Sequence, residues 1–583
     1  MTKRIIALLL SLVMVLACLV GCKKDDAIDE TIKEGSEKTI TLSMYLMSEE
    51  EVSEEQALAI QNAVNKITKS KFKTQLVLRY FTEEQYYTAL EKAYEDDLNS
   101  DDFEQNFSNA LKEELESDTA EETFVDEYGV VQLKYPTITD YQVDIFYLSG
   151  YDRLASYIEN DMVQELSDEI SSASKVLNTF IHPGYISGLD TVCNGTYAVP
   201  VNAPIGEYTY ILVNKEILKE YNHAAGDFSS ILSSTSQHLL DHVSKYNPEY
   251  VPLRSFTDSG ELDVSYIRYF GIDETGHFND KEFSLLGGYY SPDWKYLSTG
   301  QFTRPASIFN DTDFIAQIET LVKYKENGYY GTEADADKKF AMGYIKGGVE
   351  VIEEYGDEYE IIVHQAPVLD TMDVFENMFA VSSNSVDLAR SMEIITYLYS
   401  NADFANLLLY GIEGENYELV DSEMLDENER PLQVVKPLAG NTYVMSPEKI
   451  GNTLLVYPTI DQHPNQREIY KQQNLDATVS LVMGMTHNFD EMVLSEYHTT
   501  YLRDQSKLVL EKLLTIDKIE GEGGLNEYIE SVRKKVNIDI DLVAAMRQAP
   551  ISTGVDENGE PLDPLQTLPA VYTAWLTANK MIT

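Results

Sequence analysis

Apolar positions along the chain alternate between two periods, and the order of those periods predicts the architecture. After a polar stretch (residues 23–38), Thr39 to Leu46 is a continuous apolar run of strand type. Ser53-Glu54-Glu55-Gln56 reads as a capping box, followed by Ala57, Ile60, Val64 and Ile67 on one helical face. Thr74 to Tyr80 is again strand-like, and this β-α-β order predicts a parallel sheet in an α/β domain. Gln142 to Leu148 predicts a buried strand; Ser149-Gly150 ends it, and a helix begins near Asp152. Thr196 to Pro200, Tyr208 to Val213 and Tyr359 to Val363 are further strands. Ser385 reads as the N-cap of a long helix carrying Leu388, Met392, Ile395 and Leu398. Two more helices are predicted late in the chain, one aligning Leu494, Tyr497 and Tyr501, one from Leu525 to about Lys535.

Composition changes this picture in three places. Residues 91–130 are heavily acidic and poor in core residues, which predicts a helical excursion on the surface. The 583 residues hold 98 acidic against 44 basic side chains, a net charge of −54. Such a field repels phosphate backbones and anionic headgroups, so nucleic acid is excluded as a partner and direct binding to a membrane surface is disfavoured. Tyrosine is abundant, 40 against 20 phenylalanines and 2 tryptophans. A tyrosine offers a flat apolar ring with a polar tip, which suits sugar rings and peptides equally.

The N-terminus adds a location. Lys3 and Arg4 precede an apolar run, Ile5 to Val20, broken only by Ser11. That run falls short of the roughly 20 residues of a spanning helix and reads as an export signal. It ends in Leu19-Val20-Gly21-Cys22, which resembles the lipobox of bacterial lipoproteins. The resemblance implies a signal peptide over 1–21, an acyl chain on Cys22, and a polar tether over 22–38. The body would then sit on the outer face of the cytoplasmic membrane, held there through the lipid alone. The other cysteines are Cys18, within the signal, and Cys193, so the exported body has no disulfide framework.

Several longer stretches resemble the extracellular solute-binding proteins of ABC importers, closest to the carbohydrate branch that includes maltose-binding proteins and its lipoprotein relatives in Gram-positive bacteria. Asp144-Ile-Phe-Tyr-Leu-Ser-Gly-Tyr151 through Leu166-Ser-Asp168 is similar to that family's strand, ligand loop and helix. Gly195-Thr-Tyr-Ala-Val-Pro200, followed by Asn214-Lys-Glu-Ile-Leu218, is similar to its glycine-tyrosine-proline strand and next helix start. Phe340-Ala-Met-Gly343 and Leu409-Tyr-Gly-Ile-Glu-Gly-Glu-Asn-Tyr417 match further elements. The acidic stretch and the long segment after Tyr417 exceed what a maltose-binding protein has.

The resemblance implies the two-lobed periplasmic-binding-protein-like fold of type II, with extra helical insertions. Lobe 1 would comprise 39–203 and 370–420, lobe 2 residues 204–369, and a mostly helical segment, 421–583, would complete the lobes. The chain would cross between lobes near Ala203–Tyr210, near Gln365–Asp370, and once more after Tyr417. A monomer would capture a sugar or oligosaccharide by lobe closure and deliver it to permease subunits, without enzymatic activity, cofactor or metal. A binder of peptides or other polar solutes, a surface glycan-active enzyme and an adhesin are the competing readings.

Ligands of open α/β sheets bind beyond the carboxyl ends of strands. That rule selects Ser48 after the first strand, then Ser149 and Tyr151 after Leu148. Asn202, Glu207 and Tyr208 lie in the first crossing, Glu376 and Asn377 after the return. Lobe 2 offers Tyr290, Arg304 and Trp294, the last as the candidate aromatic platform. His238 and His242 stand one helical turn apart, but without the glutamate of a zinc protease they read as a surface helix.

Overall fold

The computed structural model describes residues 39–99, 141–256, 306–480 and 496–538, apart from short breaks at 194, 311, 332–334 and 336. It also describes the strand segments 123–125, 131–133, 269–272, 278–279, 286–289, 550–551 and 566–567. The export signal, Cys22 and the tether lie outside the described residues.

The chain enters as β1 (Ile40–Ser48), α1 (Glu54–Phe72), β2 (Thr74–Thr82) and α2 (Glu83–Asn99). The capping box expected at Ser53 is present in part: the Ser53 hydroxyl accepts from the Gln56 N–H at 3.3 Å. Of the acidic stretch the described residues are 91–99, helical within α2, and Thr123–Val125, which pairs with Val131–Leu133 as a short antiparallel ladder; its other residues lie outside the described ones. There follow β3 (Ile145–Leu148), α3 (Tyr151–Glu159), α4 (Ser167–Phe180), α5 (Pro183–Cys193) and β4 (Val199–Pro200). Next come β5 (Tyr208–Asn214), α6 (Lys215–Glu220), α7 (Ser234–Tyr246), β6 (Val251–Ser255), α8 (Thr312–Glu326), β7 (Phe340–Gly347), α9 (Val349–Tyr355) and β8 (Tyr359–Gln365). The return runs through β9 (Val368–Leu369), α10 (Thr371–Glu376), β10 (Met378–Val381), α11 (Leu388–Ser400) and α12 (Ala402–Tyr410). The remainder holds the hairpin β11 (Tyr417–Leu425) and β12 (Pro431–Pro437), then α13 (Gln466–Asp476), β13 (Thr478–Val479), α14 (Glu496–Thr515) and α15 (Leu525–Ile538).

Two sheets organise these elements, each at the centre of one lobe. The first has the order β2-β1-β3-β10-β4, with β1 parallel to β2 and β3, and β10 antiparallel to β3 and β4. Every residue of β1, β3 and β10 is buried, the mark of a sheet covered on both faces. The second sheet has the order β8-β5-β7-β6, and β5 is antiparallel to both of its neighbours. Its two faces carry separate cores. Ile211 and Val213 of β5 join Leu239, Phe314 and Leu513, whereas Tyr208, Tyr210 and Leu212 join Phe340 and Tyr359. Strand alternation alone divides them. Helices α14 and α15 belong to this lobe, burying Val509, Leu513, Leu525 and Ile529 in its larger core.

A buried polar knot pins the first sheet. The Asp144 carboxylate accepts from the Ser43 N–H (2.8 Å), the Gln142 amide (2.5 Å), the Val386 N–H (2.9 Å) and the Ser385 hydroxyl (2.9 Å). Ser385 therefore does not cap the helix that follows. Asp387 does so, its carboxylate accepting from the Arg390 N–H at 3.0 Å. A hydroxyl two residues too early found a better partner across the sheet.

Among the described residues the chain passes from one sheet and its core to the other three times. The first passage is Asn202 to Tyr208 and the second Gln365 to Asp370. The third runs through the end of α13 and β13, where β13 pairs in parallel with β9, matching Val368 with Thr478 and Leu369 with Val479. Helix α13 binds the first passage with side-chain amides. Asn474 accepts from the Ile205 N–H and donates to the Ala203 carbonyl, both at 2.9 Å. Gln473 donates to the carbonyls of Ile205 (3.0 Å) and Gly206 (2.7 Å). Gly206 has φ +48, and a Cβ there would stand 3.1 Å from the Val368 carbonyl, so glycine lets the first two passages touch.

Candidate functional site

The carboxyl ends of β1, β2 and β3 lie along one edge of the first sheet, together with the start of the antiparallel β10. Of the five candidates that the sequence offers here, Ser149, Tyr151, Glu376 and Asn377 lie near one another, whereas Ser48 is buried at the end of β1. Gly150, at φ +92, donates its N–H to the Phe375 carbonyl at 2.8 Å, which ties the loop after β3 to the end of α10. Tyr151 opens α3 and packs its ring edge-on to Phe375, centroids 5.2 Å apart. Ser149 is half-buried, and its N–H donates to the Tyr87 hydroxyl at 3.1 Å. Asn377 is half-buried and Glu376 exposed, at the junction of α10 and β10.

Ser48 closes β1 but is buried, its hydroxyl directed to the Phe81 carbonyl at 3.3 Å. Asn202 is buried in the hinge, where it donates to the Asn452 side chain at 2.9 Å. Glu207 is exposed on the first passage. Tyr208 stacks on Tyr210, centroids 5.2 Å apart, and donates its hydroxyl to Asp476 at 2.9 Å. Tyr290, Trp294 and Arg304 lie outside the described residues.

Other residues join this region that periodicity did not reveal. Tyr147, next to last in β3, donates its hydroxyl to the Asn377 side chain. Burial raises its pKa, and the neighbouring Tyr87, Glu448 and Glu376 push in the same direction. Tyr87, from α2, carries the Arg153 guanidinium over its ring at 3.3 Å. Tyr210 is pushed up to about 12 by burial, with Glu350 and Asp476 adding to it. Tyr470 of α13 is also raised, by burial first and then by Glu350, Glu353 and Glu448. A strand-end rule looks only at loops, so it misses a helix tyrosine such as Tyr87. Tyr470 and Asp476 come from the long segment after Tyr417, for which the family resemblance offered no template.

Chemically, the region is a set of tyrosine rings, Tyr87 and Tyr470 half-buried and Tyr147, Tyr151, Tyr208 and Tyr210 buried, edged with carboxylates and a carboxamide. Rings and planar polar groups of this kind bind ligands with flat faces and paired hydroxyls. Among the described residues no group of three or more His, Cys, Asp or Glu side chains is placed to hold a metal ion. His242 turns its Nδ1 to the His238 carbonyl at 2.8 Å, an ordinary contact within one helix.

No family model matches the sequence. A curated protein of Streptococcus pneumoniae, described as a carbohydrate ABC transporter substrate-binding protein, is 23% identical over 393 residues, covering 64% of this chain and 74% of that protein. The crystal structure of the N-glycan transport solute binding protein from Streptococcus pneumoniae superposes with a TM-score of 0.50 at 17% identity, covering 87% of this chain and 97% of that one. An extracellular solute-binding protein from Bifidobacterium longum subsp. infantis aligns over 94% of this chain and 99% of its own, at 13% identity and a TM-score of 0.43. The fold is the two-lobed α/β fold of type II solute-binding proteins.

Proposed function

We propose that this chain, a relative of the substrate-binding proteins of carbohydrate ABC transporters, captures an oligosaccharide between its lobes and delivers it to a membrane permease. The observation that carries the reading is the placement of tyrosines and carboxylates on both lobes around a hinge of three passages. A ligand touching both lobes favours the closed form by the difference between its open-state and closed-state affinities. Ser149, Glu376 and Asn377 would meet it from lobe 1 and Glu207 from the hinge side, where Tyr208, buried and bonded to Asp476, would shape the wall. Tyr290, Trp294 and Arg304 are assigned to the facing wall on sequence grounds. Ser48, Tyr151 and Asn202, buried and bonded as they are, would shape the edge more than touch the ligand.

Export and lipidation at Cys22 complete this reading: an acyl anchor and an acidic tether would hold the body beside its permease while leaving it free to turn. A melting-curve screen of the complete protein in detergent against an oligosaccharide panel tests the core claim. Saturable stabilisation that follows ligand concentration is the expected outcome. No shift with any glycan sinks the reading, and a shift with peptides alone moves it to the peptide class. Glycan recovered in fragments after long incubation would point to the enzyme reading.

A further inference from the structure

The passages between the lobes are held from one side. Val201, Ile205 and Leu369 lie in the lobe 1 core, and Ala477 and Val479 pack against it. Asn202 is tied to Asn452, whose amide in turn donates to the Tyr399 carbonyl at 2.8 Å, in the buried middle of lobe 1. Helix α13 joins the same side through Gln473 and Asn474, and β13 through its pairing with β9. Lobe 2 begins at Tyr208, whose ring stacks on Tyr210 in the smaller core, and its strand β8 ends at Gln365. Between these limits Glu207 and Ala366 belong to no sheet and no core cluster, so each is a place where its passage can turn.

One bond spans that line. The Tyr208 hydroxyl donates to Asp476 at 2.9 Å, and the other carboxylate oxygen accepts from Gln472 at 2.8 Å, which fixes its direction. A hydroxyl about 6.5 Å from a pivot moves about 3 Å when the lobe turns by about 25°, beyond hydrogen-bond reach. Gln473 works the other way. It is 2% exposed, and its Oε1 finds no hydrogen-bond donor among the described residues. A Cβ on Gly348, at the N-cap of α9, would stand 3.7 Å from that oxygen, so lobe 2 covers it. Parting α9 from α13 would let water reach it. The described angle thus gains one bond and carries one unmet acceptor, a near balance that a single hydrogen bond can tip.

We propose that Tyr208 and Asp476 form a latch across the hinge, which holds the lobes at the described angle and opens when lobe 2 turns about Glu207 and Ala366. Tyr208 is thereby a positioning residue, whatever the ligand. Asp476 is exposed, so its carboxylate returns to water when the latch opens. A bond to an accessible carboxylate is weak enough for a ligand to break, yet strong enough to narrow the range of lobe angles.

Pulsed electron-spin distance measurements on the complete protein in detergent test this, with nitroxide labels on Ser156→Cys in α3 and Ser244→Cys in α7, both exposed. No sugar is needed, so the outcome is independent of the carbohydrate reading. Tyr208→Phe keeps the ring and removes only the hydroxyl; it is expected to shift the ratio of the parent's main lobe distance to all others by about three- to tenfold. Asp476→Ala should shift it by a similar factor, and the double variant no further than either single one, since both remove one bond. Unchanged distance distributions in the two single variants overturn the proposal, and so do effects that add in the double. A lowered melting point with the parent's distances would show a bond that serves stability alone, and overturns it as well.

Discussion

The two lobes solve the same packing problem differently. Lobe 1 is built around a sheet whose central strands are buried on both faces, and one continuous core runs from Ile40 to Val456. In lobe 2 the faces of the sheet belong to separate clusters, the smaller dominated by aromatic rings; Phe340 and Tyr359 stack there with centroids 4.2 Å apart. Its outer strand β8 is only half covered, and Val363 is 53% exposed. The lesson is one of strand neighbours. Parallel strands joined by helices need cover on both sides and read as unbroken apolar runs. An antiparallel strand such as β5 can send alternate residues to different clusters, and its neighbour can stay partly wet.

The largest expected effect that separates the lobes is alkaline. Tyr86, Tyr399 and Tyr443, all in the lobe 1 core, are raised well above the usual 10.0 by burial. In lobe 2, Tyr250, Tyr329 and Tyr355 are pushed up to about 12, again by burial first. A folded value above the unfolded one means stability is fully present below pH 10 and is lost as pH climbs towards the folded value. Phenolate absorbance and circular dichroism, followed together from pH 9 upward, should show the lobe 1 tyrosines ionising only as the fold is lost. A single ionisation wave near pH 10 with the dichroism intact would contradict this.

Smaller effects sharpen the comparison further. Phe379→Ala in β10, fully buried against Tyr147, should cost about 3–5 kcal/mol in urea unfolding. Val363→Ala on the half-wet β8 should stay within about 0.5 kcal/mol of the parent. Equal losses would erase the distinction between the sheets. At the seam, Asn474→Ala leaves the Ile205 N–H and the Ala203 carbonyl without their side-chain partner, an expected loss of about 1–3 kcal/mol. A broader distribution of lobe separations in small-angle scattering should accompany it, and an unchanged melting point and scattering curve would rule out α13 as a clamp. Smallest is the effect at Cys193, half-buried at the end of α5, whose thiol burial pushes up to about 12. So little thiolate exists at pH 8, on the order of one part in ten thousand, that aromatic disulfide reagents should label it only after unfolding. Labelling within seconds in native buffer would show the site to be open.

Much of lobe 1 was legible because its rules are local. The apolar run of β1, the capping serine of α1 and the Ser149-Gly150 stop after β3 each carry their own signal. The rule about strand ends picked out Ser149 and Tyr151, whereas Glu376 and Asn377 reach the same edge because the antiparallel β10 starts there. The late passages were not legible. β13 is two residues long, and what makes it a hinge strand is pairing with β9 more than a hundred positions earlier. The hairpin of β11 and β12 escaped notice as well; its strands mix Glu, Asp and Lys with valine and leucine, which blurs the period-two signal. Ser385 shows how tertiary contact overrides a local preference, since its hydroxyl serves Asp144 in place of a helix end.

The three passages also fix when this chain can fold. Lobe 1 lacks its fourth strand until Met378–Val381 has been made, and lobe 2 lacks two helices of its core until residue 538. Lobe 1 is thus begun first but completed only after the strands of lobe 2, and lobe 2 is completed last. Contacts of such long sequence separation form slowly, because loop closure comes before the contact that rewards it. In a chain of this design each core waits for residues far along the sequence, and its completion comes late in synthesis. The interleaving that couples the two lobes in space thus also couples them in time.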